Sequence, residues 1–171
     1  MIIADDIAGW LHEKEIDTVF AIIGGGNVAL WDAIHRAHHA QIVACHHEQA
    51  AAMASTAFNR IRQSCSSLCL VTTGGGSTNA LTGVMAAYMD SIPLLVISGN
   101  EASNTLTKPQ RVKGVQGYDS EELARPCTVL STGCTAENYN YTLQRVWGRL
   151  REHRLGPVWL NVPKDVQTHA A

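Results

Sequence analysis

The sequence predicts a three-layer α/β/α fold around a six-stranded, mainly parallel sheet. Three observations lead there. Six short apolar runs are near-continuous rather than alternating, the pattern of strands buried on both faces. Segments with helical spacing separate them, as crossovers in a parallel sheet require. Glycine clusters close two of the runs. The whole span 1–171 reads as one domain, since 171 residues lie near the usual domain size.

Residues 5–14 set Ile7, Ala8 and Leu11 at helical spacing, and 18–23 follow as a buried strand that Gly24-Gly25-Gly26 breaks. Residues 28–37 resume helical spacing through Leu30, Trp31 and Ile34. Residues 41–45 form the second strand, and 49–60 an Ala- and Met-rich helix. The third strand, 67–72, ends at Gly74-Gly75-Gly76; a helix over 78–89 and a fourth strand over 93–98 come next. The polar stretch 99–117 has no period and reads as a long loop, a feature that in compact domains usually serves function. A short strand at 128–130, an amphipathic helix over 136–154 and a last strand at 158–162 complete the pattern, with a short tail after Pro163. In such sheets ligands sit at the carboxyl ends of strands near a topological switch point. Both glycine clusters and His46-His47-Glu48 fall at such ends.

Composition narrows the partners. With 13 Lys+Arg against 15 Asp+Glu there is no basic field for a phosphate backbone, so nucleic acid is not expected. Only 16% of residues are charged, below the ~25% of typical domains, which suggests surface covered by another subunit. No apolar run approaches the ~20 residues of a membrane helix, so no membrane partner is expected. The start Met1-Ile2-Ile3-Ala4-Asp5-Asp6 lacks the pattern of a signal peptide. Five cysteines, at 45, 65, 69, 127 and 134, make an odd set without C-x-x-C, as expected of reduced thiols in a cytoplasmic protein.

Each candidate for chemistry has a plain alternative. The turns at Gly24 and Gly74 fit neither G-x-G-x-x-G nor the Walker spacing. They are tight turns, or places where backbone approaches a ligand; two in one chain favour the ligand. His35, His38, His39, His46 and His47 crowd one third of the chain, yet no H-E-x-x-H occurs. His46 and His47 would point to opposite faces of a continuing strand, so no metal site is expected. Cys45 beside His46 reads as a strand residue rather than an activated thiol. Glu48 is either a first-turn carboxylate favoured by the helix dipole, or a carboxylate desolvated enough to exchange a proton.

Five segments, in order, carry a resemblance. Phe20 to Val28, His47-Glu48-Gln49-Ala50-Ala51 and Val71 to Asn79 resemble the pyrimidine-binding domain of thiamine-diphosphate enzymes. Ala87-Tyr88-Met89-Asp90-Ser91-Ile92-Pro93-Leu94, and Gly156-Pro157-Val158 through Pro163-Lys164-Asp165-Val166-Gln167, resemble its acetolactate synthase branch. The resemblance implies that Glu48 hydrogen-bonds a ring nitrogen of the cofactor's aminopyrimidine, favouring the tautomer that deprotonates the thiazolium carbon. It implies cofactor contacts at Ile23, Gly24, Gly25, Gly75 and Asn79, a catalytic role for Gln116, and substrate-side positions at Asn27, Val115 and Lys164. For Lys164 a solvated C-terminal charge is an equal reading.

Departures from the family pattern bear on the branch. Ile23 stands where members often have Pro, and Gly74-Gly75-Gly76 where they have Gly-Pro-Gly. Val115 replaces the Phe usual in acetolactate synthases and enlarges the acceptor side. The run Gly24 to Val28 is more similar to cyclic-diketone acylhydrolases, and the paired His of simple decarboxylases does not occur. Gly-Asp-Gly, which with an Asn-Asn element holds Mg²⁺ and the diphosphate, occurs nowhere in the 171 residues. The expectation is therefore the pyrimidine-domain (alpha) subunit of a split enzyme that cleaves or forms C–C bonds of 2-keto acids or related ketones. A beta subunit with the diphosphate-binding domain would supply Mg²⁺, in an α2β2 heterotetramer. A non-catalytic binding module, a diketone hydrolase subunit and a simple decarboxylase subunit are the alternatives.

Overall fold

The computed structural model describes residues 1–105 and 116–171; Val115 lies outside the described residues. The elements in order are α1 (Ile3–Glu13), β1 (Thr18–Ala21), α2 (Val28–Ala37), β2 (Gln41–Ala44), α3 (Glu48–Arg62), β3 (Ser67–Val71), α4 (Gly75–Met89), β4 (Leu94–Asn100), α5 (Ser120–Ala124), β5 (Leu130–Gly133), α6 (Tyr139–Arg151), β6 (Pro157–Pro163) and α7 (Lys164–Thr168). Short 3-10 turns lie at Ser103–Thr105 and Arg125–Cys127. All six strands are parallel, in the order β2-β1-β3-β4-β6-β5.

The period-2 rule sorts the core into two layers. Leu68, Leu70, Leu95, Ile97, Val158 and Leu160 face α1, α2 and α6. Their neighbours Cys69, Val71, Leu94, Val96 and Trp159 face α3, α4 and α5. This double burial is why the strands read as continuous apolar runs. On the second face the helices are built of small residues because they pack closely: a Cβ on Gly83 of α4 would lie 2.6 Å from Ala52 of α3. Asn59 fastens α3 to the start of β3. Its Oδ1 accepts from Ser66 N–H, Ser67 N–H and the Ser67 hydroxyl (3.1, 3.0 and 2.9 Å), and its Nδ2 donates to the Pro93 carbonyl at 2.9 Å.

Three expectations need correction. The long loop does not begin at Gly99, because β4 runs through Asn100, paired with β6 up to Asn100–Pro163. Gly99 belongs to the strand, and a Cβ there would collide with the Gly26 carbonyl. The tail after Pro163 forms α7, and Asp119 caps the short α5, its side chain accepting from Glu122 N–H at 3.0 Å. His46 and His47 do not alternate on a strand, since β2 stops at Ala44 and His47 caps α3. No helix of the described residues is long and apolar enough to cross a membrane.

Candidate functional site

The strand order reverses between β1 and β3: β1 leads outward to β2, whereas β3 and β4 continue the other way. The crevice above that reversal is where ligands bind in such sheets, and both glycine turns border it.

The first turn is held from several sides. Asn27 is fully buried. Its Oδ1 accepts from Gly24 N–H at 2.8 Å and its Nδ2 donates to the Ile22 carbonyl at 3.0 Å. Gly26 N–H donates to Thr72 Oγ1 at 3.0 Å, and buried Gln167 donates from Nε2 to the Gly26 carbonyl at 2.6 Å. A Cβ on Gly24 would lie 2.6 Å from Thr72 Oγ1, so this glycine exists for packing within the chain. Among the described residues nothing lies within 4 Å of a Cβ on Gly25, which faces open space.

The second turn repeats the division. Gly74 has φ +64°, a conformation that favours glycine, and a Cβ there would strike Gln116 at 2.5 Å. Gly76 brings its backbone against Thr72, where a Cβ would lie 2.6 Å from Cγ2. Gly75, between them, again faces open space among the described residues. Gln116 is tied to this turn through the Thr73 hydroxyl, which is 3.2 Å from the Gln116 carbonyl and 2.9 Å from Asn100 Oδ1.

Glu48 opens α3 and is only 9% exposed. Its Oε2 accepts from Asn79 Nδ2 on α4 at 3.0 Å. Its Oε1 would lie 3.3 Å from a Cβ on Gly76, so the bare glycine makes room for the carboxylate. His47 orients the helix start by accepting Gln49 N–H at Nδ1, 3.2 Å away. Thr72 touches both turns and thereby joins the carboxylate to the pocket beside it.

That pocket holds about 250 Å³, lined by Gly24, Gly25, Gly26, Thr72, Thr73, Glu101, Gln116 and Lys164. A larger cleft, about 590 Å³, opens at the amino ends of the strands among Glu13–Glu15, Gln63–Ser66 and Leu155, and contains none of the expected residues. Size does not locate the chemistry here. The sheet topology does.

Gly24, Gly25, Gln116 and Lys164 thus meet in one pocket, with Glu48, Gly75 and Asn79 adjoining. Asn27 does not face the pocket with a free group, because both ends of its amide are used inside the turn. Ile23 is 52% exposed and does not line the pocket. Sequence reading missed Thr72, Thr73, Asn100, Glu101 and the clamp made by Gln167. Thr72-Thr73 directly before a glycine cluster was an available signal; Glu101 had none, since its partner Lys164 is 63 residues away.

Other candidates fall away from the site. His35, His38 and His39 are exposed, and His39 stacks on His12 with ring centroids 3.9 Å apart. Among the described residues no group of three or more His, Cys, Asp or Glu could hold a metal ion. The five cysteines are free, and burial raises the Cys45 thiol above its ordinary value, the opposite of activation.

The donor set fits an aminopyrimidine. Among the described residues a little-exposed carboxylate keeps one oxygen without an amide partner, an amide sits beside it, and two glycines leave open space for a flat ring. Fold and site together define a doubly wound α/β domain with a little-exposed carboxylate and two glycine turns beside its switch point. The chain belongs to the thiamine pyrophosphate enzymes: the family's N-terminal TPP binding domain matches residues 1–123. It is 32% identical over 163 residues to the acetolactate synthase large subunit of Haemophilus influenzae, covering 95% of this chain and 28% of that protein. The Escherichia coli acetolactate synthase isozyme 3 large subunit is likewise 32% identical, over 164 residues, with 95% and 28% covered. The chloroplastic acetolactate synthase of Arabidopsis thaliana is 27% identical over 176 residues, with 98% and 24% covered. The chain therefore spans about a quarter of the length of these relatives.

Proposed function

We propose that this chain supplies the pyrimidine side of a thiamine-diphosphate site in a cytoplasmic enzyme that cleaves or forms C–C bonds of 2-keto acids or related ketones. A partner subunit with the diphosphate-binding domain completes the site and holds Mg²⁺, in an α2β2 assembly. The observation that carries this reading is the Glu48 carboxylate, little exposed, held at one oxygen by Asn79 and with the bare backbone of Gly76 beside the other.

When bound, thiamine diphosphate supplies a carbon nucleophile and a sink for the electron pair released by C–C cleavage. The chain's part is to place and protonate. Glu48 Oε1 shares a proton with a ring nitrogen, while Asn79 fixes Oε2 so that the carboxylate keeps one orientation. Gly25 and Gly75 give backbone access to the ring face. Gln116, fixed through Thr73 and Gly74, stands on the substrate side with Lys164.

The outer faces of α3 and α4 support the partner. Met53 and Ile61 on α3, and Met85 and Met89 on α4, are 42–83% exposed, on helices that begin at Glu48 and Gly75. An apolar stripe running outward from a cofactor site suits a subunit that shares the cofactor.

The test is to combine the chain with a diphosphate-binding-domain protein and follow 2-keto acid turnover with thiamine diphosphate and Mg²⁺. Glu48→Gln keeps an acceptor for Asn79 but loses the shared proton, so turnover should fall about 10²–10⁴-fold while the complex assembles. Unchanged turnover in that variant would refute the role of Glu48; absence of cofactor binding in every combination would refute the reading itself.

A further inference from the structure

Among the described lining residues of the pocket only Glu101 and Lys164 are charged, and Lys164 Nζ donates to Glu101 Oε2 at 2.7 Å. The parallel pairing of β4 with β6 ends at Asn100–Pro163, so the next residue of each strand is delivered to the same edge. Both mounts are fixed. Glu101 N–H donates to Asn100 Oδ1 at 2.9 Å, and Asp165 Oδ1, beside Lys164, accepts from Ser103 N–H at 2.9 Å and the Ser103 hydroxyl at 3.1 Å. An ion pair on a half-exposed lysine ordinarily forms and breaks with little gain. Here the backbone holds both partners in place, and the carboxylate is the less exposed of the two, its side chain 17% exposed against 50% for lysine.

We propose that Glu101 sets the specificity of this pocket, giving it a preference for the uncharged, hydroxyl-bearing end of a ketone or aldehyde over a carboxylate. The inference rests on reading the pocket as the substrate side of the thiamine-diphosphate site. A hydroxylated carbonyl compound meets a paired acceptor and donor: one hydroxyl donates to the Glu101 carboxylate while a neighbouring oxygen accepts from the Lys164 ammonium. A carboxylate entering the same space must draw Lys164 away and then lie beside the Glu101 anion, which has little solvent to screen it. Like charges facing each other disfavour the ligand, and the pair selects by that repulsion. With Glu101 neutral, Lys164 becomes a free cation lining the pocket, and the preference reverses.

The experiment titrates the full isotope-labelled chain with dihydroxyacetone and with pyruvate, following the backbone amide resonances of the lining residues Gly25, Thr73 and Gln116 by NMR. Dihydroxyacetone should shift them with an affinity at least about tenfold better than pyruvate. In Glu101→Gln pyruvate should gain about tenfold or more and dihydroxyacetone should weaken; Lys164→Met should lose both responses. Equal or tighter binding of pyruvate to the parent chain, an unchanged preference in Glu101→Gln, or no response to either probe overturns the proposal. The parent-chain ratio tests it even if a variant fails to fold. Because no thiamine diphosphate is present, the two failures are distinguishable: a reversed or absent preference here overturns the specificity proposal and leaves the functional reading standing, whereas failure of the cofactor assay removes that reading and the substrate role that rests on it.

Discussion

Gly24 and Gly25 are neighbours in sequence with opposite reasons for being glycine. Gly24→Ala would set a Cβ 2.6 Å from Thr72 Oγ1 and 2.7 Å from Thr72 Cβ and Cγ2. Thr72 cannot turn aside freely, because the same Oγ1 accepts Gly26 N–H at 3.0 Å. Overpacking costs about 1–3 kcal/mol, and losing that hydrogen bond about 0.5–1.5 kcal/mol more. At roughly 2–4 °C per kcal/mol for a chain of this size, Gly24→Ala should melt about 3–18 °C below the parent. Gly25→Ala meets nothing within 4 Å. Its melting temperature should hold or rise, since removing glycine's freedom from the unfolded chain is worth about 0.4–1 kcal/mol. The cost of Gly25→Ala appears elsewhere: in the assembled enzyme, thiamine diphosphate affinity should fall by about tenfold or more, the loss a single crowded contact of ~1.4 kcal/mol produces. Calorimetry of the two variants and cofactor titration of the complex read both effects. If Gly25→Ala melts as low as Gly24→Ala, or binds cofactor as well as the parent, the division between packing glycines and ligand-facing glycines is wrong. Gly76 and Gly75 form a second such pair and should behave alike.

Asn59→Leu should cost about 3–5 kcal/mol in urea unfolding, because it strands the Ser66 and Ser67 N–H groups and the Ser67 hydroxyl; a loss under about 1 kcal/mol would show that Asn59 does not hold α3 to β3. The thiols make a pH-dependent prediction: burial pushes Cys134 up to about 12 and Cys69 higher still. A raised thiol pKa means little thiolate at pH 8, and reactivity recovers only as pH climbs toward the folded value. Iodoacetamide mapping by mass spectrometry should therefore find both thiols unlabelled in the folded chain and all five cysteines labelled in urea; labelling of Cys69 in the folded chain at a free-thiol rate would contradict its burial.

Much of the fold was legible because burial on both faces writes itself into local sequence. A strand such as 67–71 must be apolar at every position when helices cover both sides, and residues 28–37 carry a helix in their spacing alone. What was illegible depended on distant neighbours. Gly99 looked like the start of a loop because glycine and polar residues follow it, yet it continues β4 so that the Gly26 backbone can pass over it. The short α7 gave little periodicity, and it forms where Val166 and Gln167 pack back onto the sheet and the first glycine turn. In the site, Glu48 and the glycine turns stood out as residue types misplaced for a plain core and Asn79 came from the family resemblance, whereas Thr72 and Glu101 look ordinary until their partners arrive.

By itself the sequence determined the layer order, the placing of both glycine turns at strand ends, and the thiamine-diphosphate family, because periodicity and motif order are local properties of the chain. Only the tertiary structure decided which glycines serve packing and which face open space, that Asn27 is consumed by its own turn, and that Lys164 is paired with Glu101. Those facts depend on parallel pairing between strands remote in sequence, and the pairing register, unlike the strands themselves, leaves no local trace.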